Sequence, residues 1–99
     1  MTDSIVGEII WVDSFGNLIT NIDESILPDV EAGKLGVAIG RHHIAGINRC
    51  YAERPAGELL AVIGSSGQLE IAVNQGNAAR ELDVSMAAQV QVTATNHIG

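Results

Sequence analysis

From Val62 to Arg80 the chain reads as a strand, a tight Gly64-Ser65-Ser66-Gly67 turn, a second strand, and an Asn74-Gln75-Gly76-Asn77 corner that opens into one or two turns of helix. Leu69, Ile71 and Val73 recur at every second position, which gives the second strand one buried face. Ser65, Ser66 and Asn74 then mark the points where backbone leaves a sheet and can face a ligand.

The remaining segments repeat that pattern of short strands and turns. Ile5 to Asp13 is rich in β-branched residues on both faces, as expected of a strand covered on both sides or one that bends between two layers. Ser14 to Asn17 is a turn, and Leu18, Thr20 and Ile22 line one side of a returning strand. Asp23 to Lys34 contains Pro28 and Gly33 without a sustained period, so it is a long connection with a helical turn before the proline. Leu35 to Gly40 alternates large and small residues, predicting a strand whose small side is closely approached. His42 to Asn48 and Glu58 to Gly64 are further strands. Asn77 is an N-cap candidate for a helix over Ala78 to Leu82, with Arg80 where a capping box would carry Glu. In the last strand Val90, Val92 and Ala94 point inward, Gln89, Gln91, Thr93 and Thr95 point outward, and Asn96 to Gly99 fray. The fold class is all-β: a small antiparallel, Greek-key-like β-barrel of about seven short strands with one short helix, forming a single domain over residues 1–99.

Charge and composition remove several functions. A formal net charge of −7 with five Lys and Arg opposes binding to a phosphate backbone or an anionic membrane surface, since both depend on basic residues. One cysteine, Cys50, excludes an internal disulfide and is compatible with a reducing compartment. No apolar run reaches membrane-helix length and the start lacks a signal peptide's basic region, so a soluble, cytoplasmic protein is expected.

Catalytic and metal motifs are also lacking. His42 and His43 are neighbours in a strand, so they point to opposite faces and cannot share a metal, and no other spacing suggests a metal site. Gly64 to Gly67 lacks the spacing of an esterase elbow, and it joins two strands without the lysine of a phosphate loop. A plain hairpin turn accounts for it, as an Asx turn accounts for Asp13 to Asn17. Glu70 faces away from the Leu69 row and reads as solvated; Tyr51 reads as a rim-packing residue as readily as a ligand platform. Nevertheless Asp13, Asn17, Ser65, Ser66 and Asn74 all fall at strand ends, beside the aromatics Phe15 and Tyr51. Aromatic surface edged by amide, hydroxyl and carboxylate groups suits a flat heterocycle with a polar or zwitterionic tail.

Two long motifs, Asp13-Ser14-Phe15-Gly16-Asn17-Leu18-Ile19-Thr20-Asn21-Ile22 and the run from Gly64 through Asn74-Gln75-Gly76-Asn77 to Ala79, make the chain resemble the C-terminal domain of the S-adenosylmethionine hydroxide adenosyltransferases, relatives of the fluorinase and chlorinase. The resemblance covers essentially the whole chain. It implies a barrel that supplies the adenine- and methionine-facing wall of a pocket between subunits of a homotrimer. Adenosine or S-adenosylmethionine would be the ligand, the latter as substrate, with no cofactor. By position, Asn17 and Asn74-Gln75 would bond the adenine edge, and Tyr51 would pack on the ring. Asp13 and Ser65 would hold the amino and carboxylate groups of the methionine part, and Phe15 would support the pocket. The family's larger N-terminal α/β domain, which holds the ribose and orients the attacking water or halide, has no counterpart in these residues; the resemblance therefore implies no catalytic residue here and no activity of this chain alone. Ser66 stands where the halogenases carry an arginine, which removes a bidentate carboxylate donor and fits the branch that uses water. A structural or oligomerisation barrel without ligand is the alternative.

Overall fold

The computed structural model describes residues 4–28, 31–51 and 54–94. Among them lie seven strands, β1 (Ser4–Val12), β2 (Leu18–Asp23), β3 (Leu35–Ile39), β4 (His42–Ala45), β5 (Leu59–Ile63), β6 (Gln68–Val73) and β7 (Gln89–Ala94), and one short helix, α1 (Ala78–Leu82). They form one sheet in the order β4-β3-β7-β1-β2-β6-β5, with every neighbouring pair antiparallel. The two ends of that order meet after β4, where Asn48 forms a parallel bridge with Val62 and its N–H donates to the Ala61 carbonyl at 2.8 Å. The sheet thus curls into a nearly closed barrel, which protects strand edges that would otherwise invite pairing.

Alternation builds the core. Leu18, Thr20 and Ile22 of β2, Leu35, Val37 and Ile39 of β3, Leu69, Ile71 and Val73 of β6, and Val90, Val92 and Ala94 of β7 are all buried. Each large aliphatic among them contributes about 1.5–3 kcal/mol through burial. Thr20 lies where the β2–β6 register shifts between Ile19 and Asp23. Its hydroxyl donates to the Leu69 carbonyl at 2.8 Å and accepts from Ile22 N–H at 3.0 Å, satisfying groups that the irregular ladder leaves over. Leu60, Val62 and Ala72 are also buried, so the β5–β6 hairpin is covered on both faces.

Of the two readings of β1, the bend is the observed one. Ser4 to Glu8 pairs with β7, the register shifts between Ile9 and Trp11, and the rest pairs with β2. Ile9 alone in this strand is fully buried, whereas Val6 and Trp11 remain 58% and 61% exposed. β3 departs from expectation: Gly36 and Ala38 face outward, and the nearest atom to a Cβ on Gly36 would be Thr93 O at 3.8 Å. Its small residues mark the barrel exterior, not a close approach. β4 ends at Ala45 because the chain turns at Gly46, whose φ of 82° departs from strand geometry. The expected outward Thr95 and the tail from Asn96 lie outside the described residues.

The connection after β2 holds two single 3-10 turns, Glu24–Ile26 ahead of Pro28 and Ala32–Lys34. α1 spans the expected residues, capped by Asn77, whose side chain accepts from Arg80 N–H at 2.9 Å. The reciprocal half of the cap comes from one residue later than a capping box requires: Glu81 accepts from Asn77 N–H at 3.2 Å.

Candidate functional site

Three loops meet beside α1, and each is locked by its own sequence. In the β1–β2 turn one Asp13 carboxylate oxygen accepts from the N–H groups of Phe15 and Asn17, both at 2.9 Å, while the other accepts from Asn17 Nδ2 at 3.0 Å. Gly16 takes a φ of 84°, a left-handed conformation open to glycine at little cost. With the core-facing positions filled by the flanking strands, the turn projects the Phe15 ring outward, 75% exposed. Gly16 also accepts from Ala79 N–H at 2.9 Å, tying the turn to the first turn of α1.

The β6–α1 corner supplies the second wall. Gly76 N–H donates to the Val73 carbonyl at 2.9 Å, and Gln75 is held at φ 58°, an uncommon conformation for a residue with a side chain. Asn74 works as a clamp on the loop before β5. Its N–H donates to the Glu58 carbonyl at 3.1 Å, its carbonyl takes Gly57 N–H at 2.7 Å, and its Nδ2 donates to the Arg54 carbonyl at 2.7 Å. Arg54 continues the tie through Glu58 at 3.2 Å and the Ala45 carbonyl at 3.2 Å.

Tyr51, from that same loop, is the third wall. It is 36% exposed, and its hydroxyl donates to Glu70 Oε1 at 2.9 Å. Partial burial, that hydrogen bond and the negative charges of Glu70 and Asp13 push the phenol up to about 12. Glu70 is therefore half-buried and bonded, not simply solvated as alternation implied.

The three walls enclose an open concavity of about 660 Å³ that brings together Phe15, Asn17, Tyr51, Asn74 and Gln75. Asp13 does not line it; both of its carboxylate oxygens accept within the turn. Ser65 does not share it: with Glu70 and the other side of Tyr51, it lines a second concavity of about 310 Å³. Ser66 donates to Gln68 Oε1 at 2.9 Å at the hairpin tip and lines neither. Asn77, Arg80 and Glu81 also border the larger concavity. The sequence marks them only as cap and helix, although Asn77 follows Asn74 by three residues and Arg80 and Glu81 lie one turn beyond Asn77, which was the available signal. Among the described residues no group of three or more His, Cys, Asp or Glu could hold a metal ion, and no helix is long and apolar enough to cross a membrane.

A nearly closed antiparallel barrel, with aromatic and amide groups gathered where three loops converge, defines a small β-barrel domain carrying a candidate small-molecule site. Residues 7–91 match the model of the SAM hydroxide adenosyltransferase C-terminal domain, where SAM is S-adenosylmethionine. Two curated relatives carry the name (R)-S-adenosyl-L-methionine hydrolase. That of Thermus thermophilus is 30% identical over 93% of this chain, and that of Salinispora arenicola 36% identical over 94%. A crystal structure of an uncharacterized conserved protein from Thermotoga maritima superposes over 88% of the chain with a TM-score of 0.75 and 33% identity. That of a conserved hypothetical protein from Thermus thermophilus also covers 88%, with a TM-score of 0.72 and 32% identity. The chain belongs to the SAM hydroxide adenosyltransferase family, as its C-terminal domain. It spans 33% and 34% of the two hydrolases, and 35% and 34% of the two crystallised chains.

Proposed function

We propose that this domain forms the adenosine-facing wall of an S-adenosylmethionine site in a cytoplasmic, water-using member of the family, and that it does not catalyse alone. The observation that carries the reading is the exposure of Phe15 and Tyr51 on two walls of one concavity edged by Asn17, Asn74 and Gln75. Two aromatic faces with amide donors and acceptors at their margin suit a purine, which stacks through its faces and is selected through its edge. The relatives named as hydrolases support the choice of ligand.

In this reading the domain contributes position and exclusion of water. Water oxygen attacks the ribose C5′, the C5′–S pair returns to sulfur, a proton leaves to solvent, and adenosine and methionine result. The groups that hold the ribose and orient the water we assign to the part of the relatives' length that this chain does not span. Asp13 and Ser65 remain the candidates for the ligand's amino-acid end, Ser65 from the second concavity that Tyr51 also borders.

The test is a titration of the 99-residue chain with adenosine and with S-adenosylmethionine, followed by amide NMR. Saturable shifts centred on Asn17, Tyr51, Asn74 and Gln75, with no methionine released, are expected. No shift at millimolar ligand contradicts the binding half, and methionine release contradicts the non-catalytic half.

The second reading, an assembly barrel without ligand, has one observation of its own: Val6, Ile10 and Trp11 leave an apolar strip of β1 in solvent. A trimer in sedimentation that Trp11→Ser dissolves, together with an unresponsive Asn17 and Tyr51, would favour it.

A further inference from the structure

The barrel closes between its two end strands, β4 and β5, which pair along their lengths with β3 and β6 respectively. What joins them is the Asn48–Val62 bridge, with its bond from Asn48 N–H to the Ala61 carbonyl. The Arg54 guanidinium spans the same seam. It donates to the carbonyl of Ala45, the last residue of β4, at 3.2 Å, to Asn48 Oδ1 at 3.4 Å, and to Glu58 Oε1, just before β5, at 3.2 Å. A planar fork of five donors can serve acceptors on several segments at once, which a lysine ammonium on its flexible stem does less well.

The backbone of the same residue ties two walls of the site together. Arg54 N–H donates to the Tyr51 carbonyl at 3.2 Å, and the Arg54 carbonyl accepts from Asn74 Nδ2 at 2.7 Å. Tyr51 and Asn74 stand on different walls of the larger concavity, which Arg54 itself does not line. The bonds that Asn74 exchanges with Gly57 and Glu58 hold its corner to the segment that carries Arg54. The spacing of the two walls therefore follows the position of one stretch of backbone, and the Arg54 side chain anchors that stretch to the seam.

We propose that Arg54 is a positioning residue that couples closure of the barrel seam to the spacing of the Tyr51 and Asn74 walls, so that a ligand held between those walls also tightens the seam. The choice of ligand rests on the adenosine reading of the concavity, whereas the coupling of seam to walls stands without it. Linkage makes the relation reciprocal: whatever a closed seam adds to ligand affinity, bound ligand returns to the seam.

The experiment follows hydrogen exchange at the Asn48 amide, which reports the seam, in the 99-residue wild type, Arg54→Met and Arg54→Lys, with and without adenosine. Arg54→Lys keeps the charge and loses the fork, and it carries the test if Arg54→Met does not fold. Without ligand, both variants should speed Asn48 exchange roughly threefold or more. They should also shift the Tyr51 and Gln75 amides more than those of Phe15 and Asn17 on the first wall. Adenosine should slow Asn48 exchange in wild type, and the variants should bind it roughly three- to tenfold more weakly and return less protection to Asn48. An arginine with a merely structural role would lower the unfolding midpoint and leave the adenosine constant unchanged. That result, or adenosine binding to wild type without slowing Asn48, overturns the proposal. If adenosine does not bind the wild type, the adenosine reading fails and the ligand-free comparison decides the coupling: Tyr51 and Gln75 amides that stay in place in Arg54→Lys overturn it.

Discussion

Gly16 packs its backbone directly against the Asn77 carboxamide, so closely that any Cβ at residue 16 would be driven into that side chain. The same glycine sits at φ 84° and accepts from Ala79 N–H. One residue therefore joins the β1–β2 turn to the cap of α1, and with it two walls of the concavity.

Gly16→Ala should destabilise the domain by about 2 kcal/mol or more, combining the left-handed penalty with the collision. Urea unfolding measures it. In an Asn77→Gly background the same substitution should cost less, because the colliding side chain is gone; strict additivity would contradict the contact.

Thr20→Val keeps shape and removes a hydroxyl that serves Leu69 and Ile22 at once. Leaving buried backbone groups unpaired should cost about 1–3 kcal/mol in denaturant unfolding. A neutral result would mean that water or a shifted ladder satisfies them.

Gln75 separates binding from stability. Gln75→Gly relieves the φ of 58° and should stabilise the fold by up to about 1 kcal/mol while weakening adenosine binding. Asn74→Ala cannot make that separation, since the Asn74 carboxamide clamps the Arg54 carbonyl and its loss should lower stability by about 1 kcal/mol with no ligand present. A Gln75→Gly chain that binds as wild type removes that side chain from the site.

Much of the fold was legible because the buried strands alternate cleanly. Leu69, Ile71 and Val73, and Val90, Val92 and Ala94, identify their inner faces by period alone, and the Asn77 cap announces α1. β1 was ambiguous because the bulge between Ile9 and Trp11 reverses facing in mid-strand. Gly36 and Ala38 misled because small residues suit an outer surface as well as a close approach. Of the strand-end residues, Asn17 and Asn74 do border the main concavity, and the turn chemistry around Asp13 was readable from Asp, Gly and Asn spacing. Which residues share a concavity was not: Ser65 and Asn74 bound the same strand, yet they lie at its opposite ends. Glu70 was misread because alternation reports which face a side chain leaves from, and not that a loop tyrosine returns to meet it.

The Tyr51 phenol is raised in the folded state, from an ordinary value of 10.0 to about 12. Its protonated form therefore favours the fold: that contribution is complete below pH 10 and is lost as pH climbs through 12. Wild type should lose stability relative to Tyr51→Phe across this window in unfolding curves, and the phenol should titrate late by ultraviolet absorbance. Parallel curves for the two proteins would contradict the Glu70 link.

The most direct test of the central claim is a set of intermolecular NOEs between bound adenosine and the isolated chain. Contacts from the adenine C2 and C8 protons to the Tyr51 and Phe15 rings are the predicted result. Contacts instead to the Val6 and Gln89 side of the barrel, or saturable binding with no contact to either ring, would contradict it.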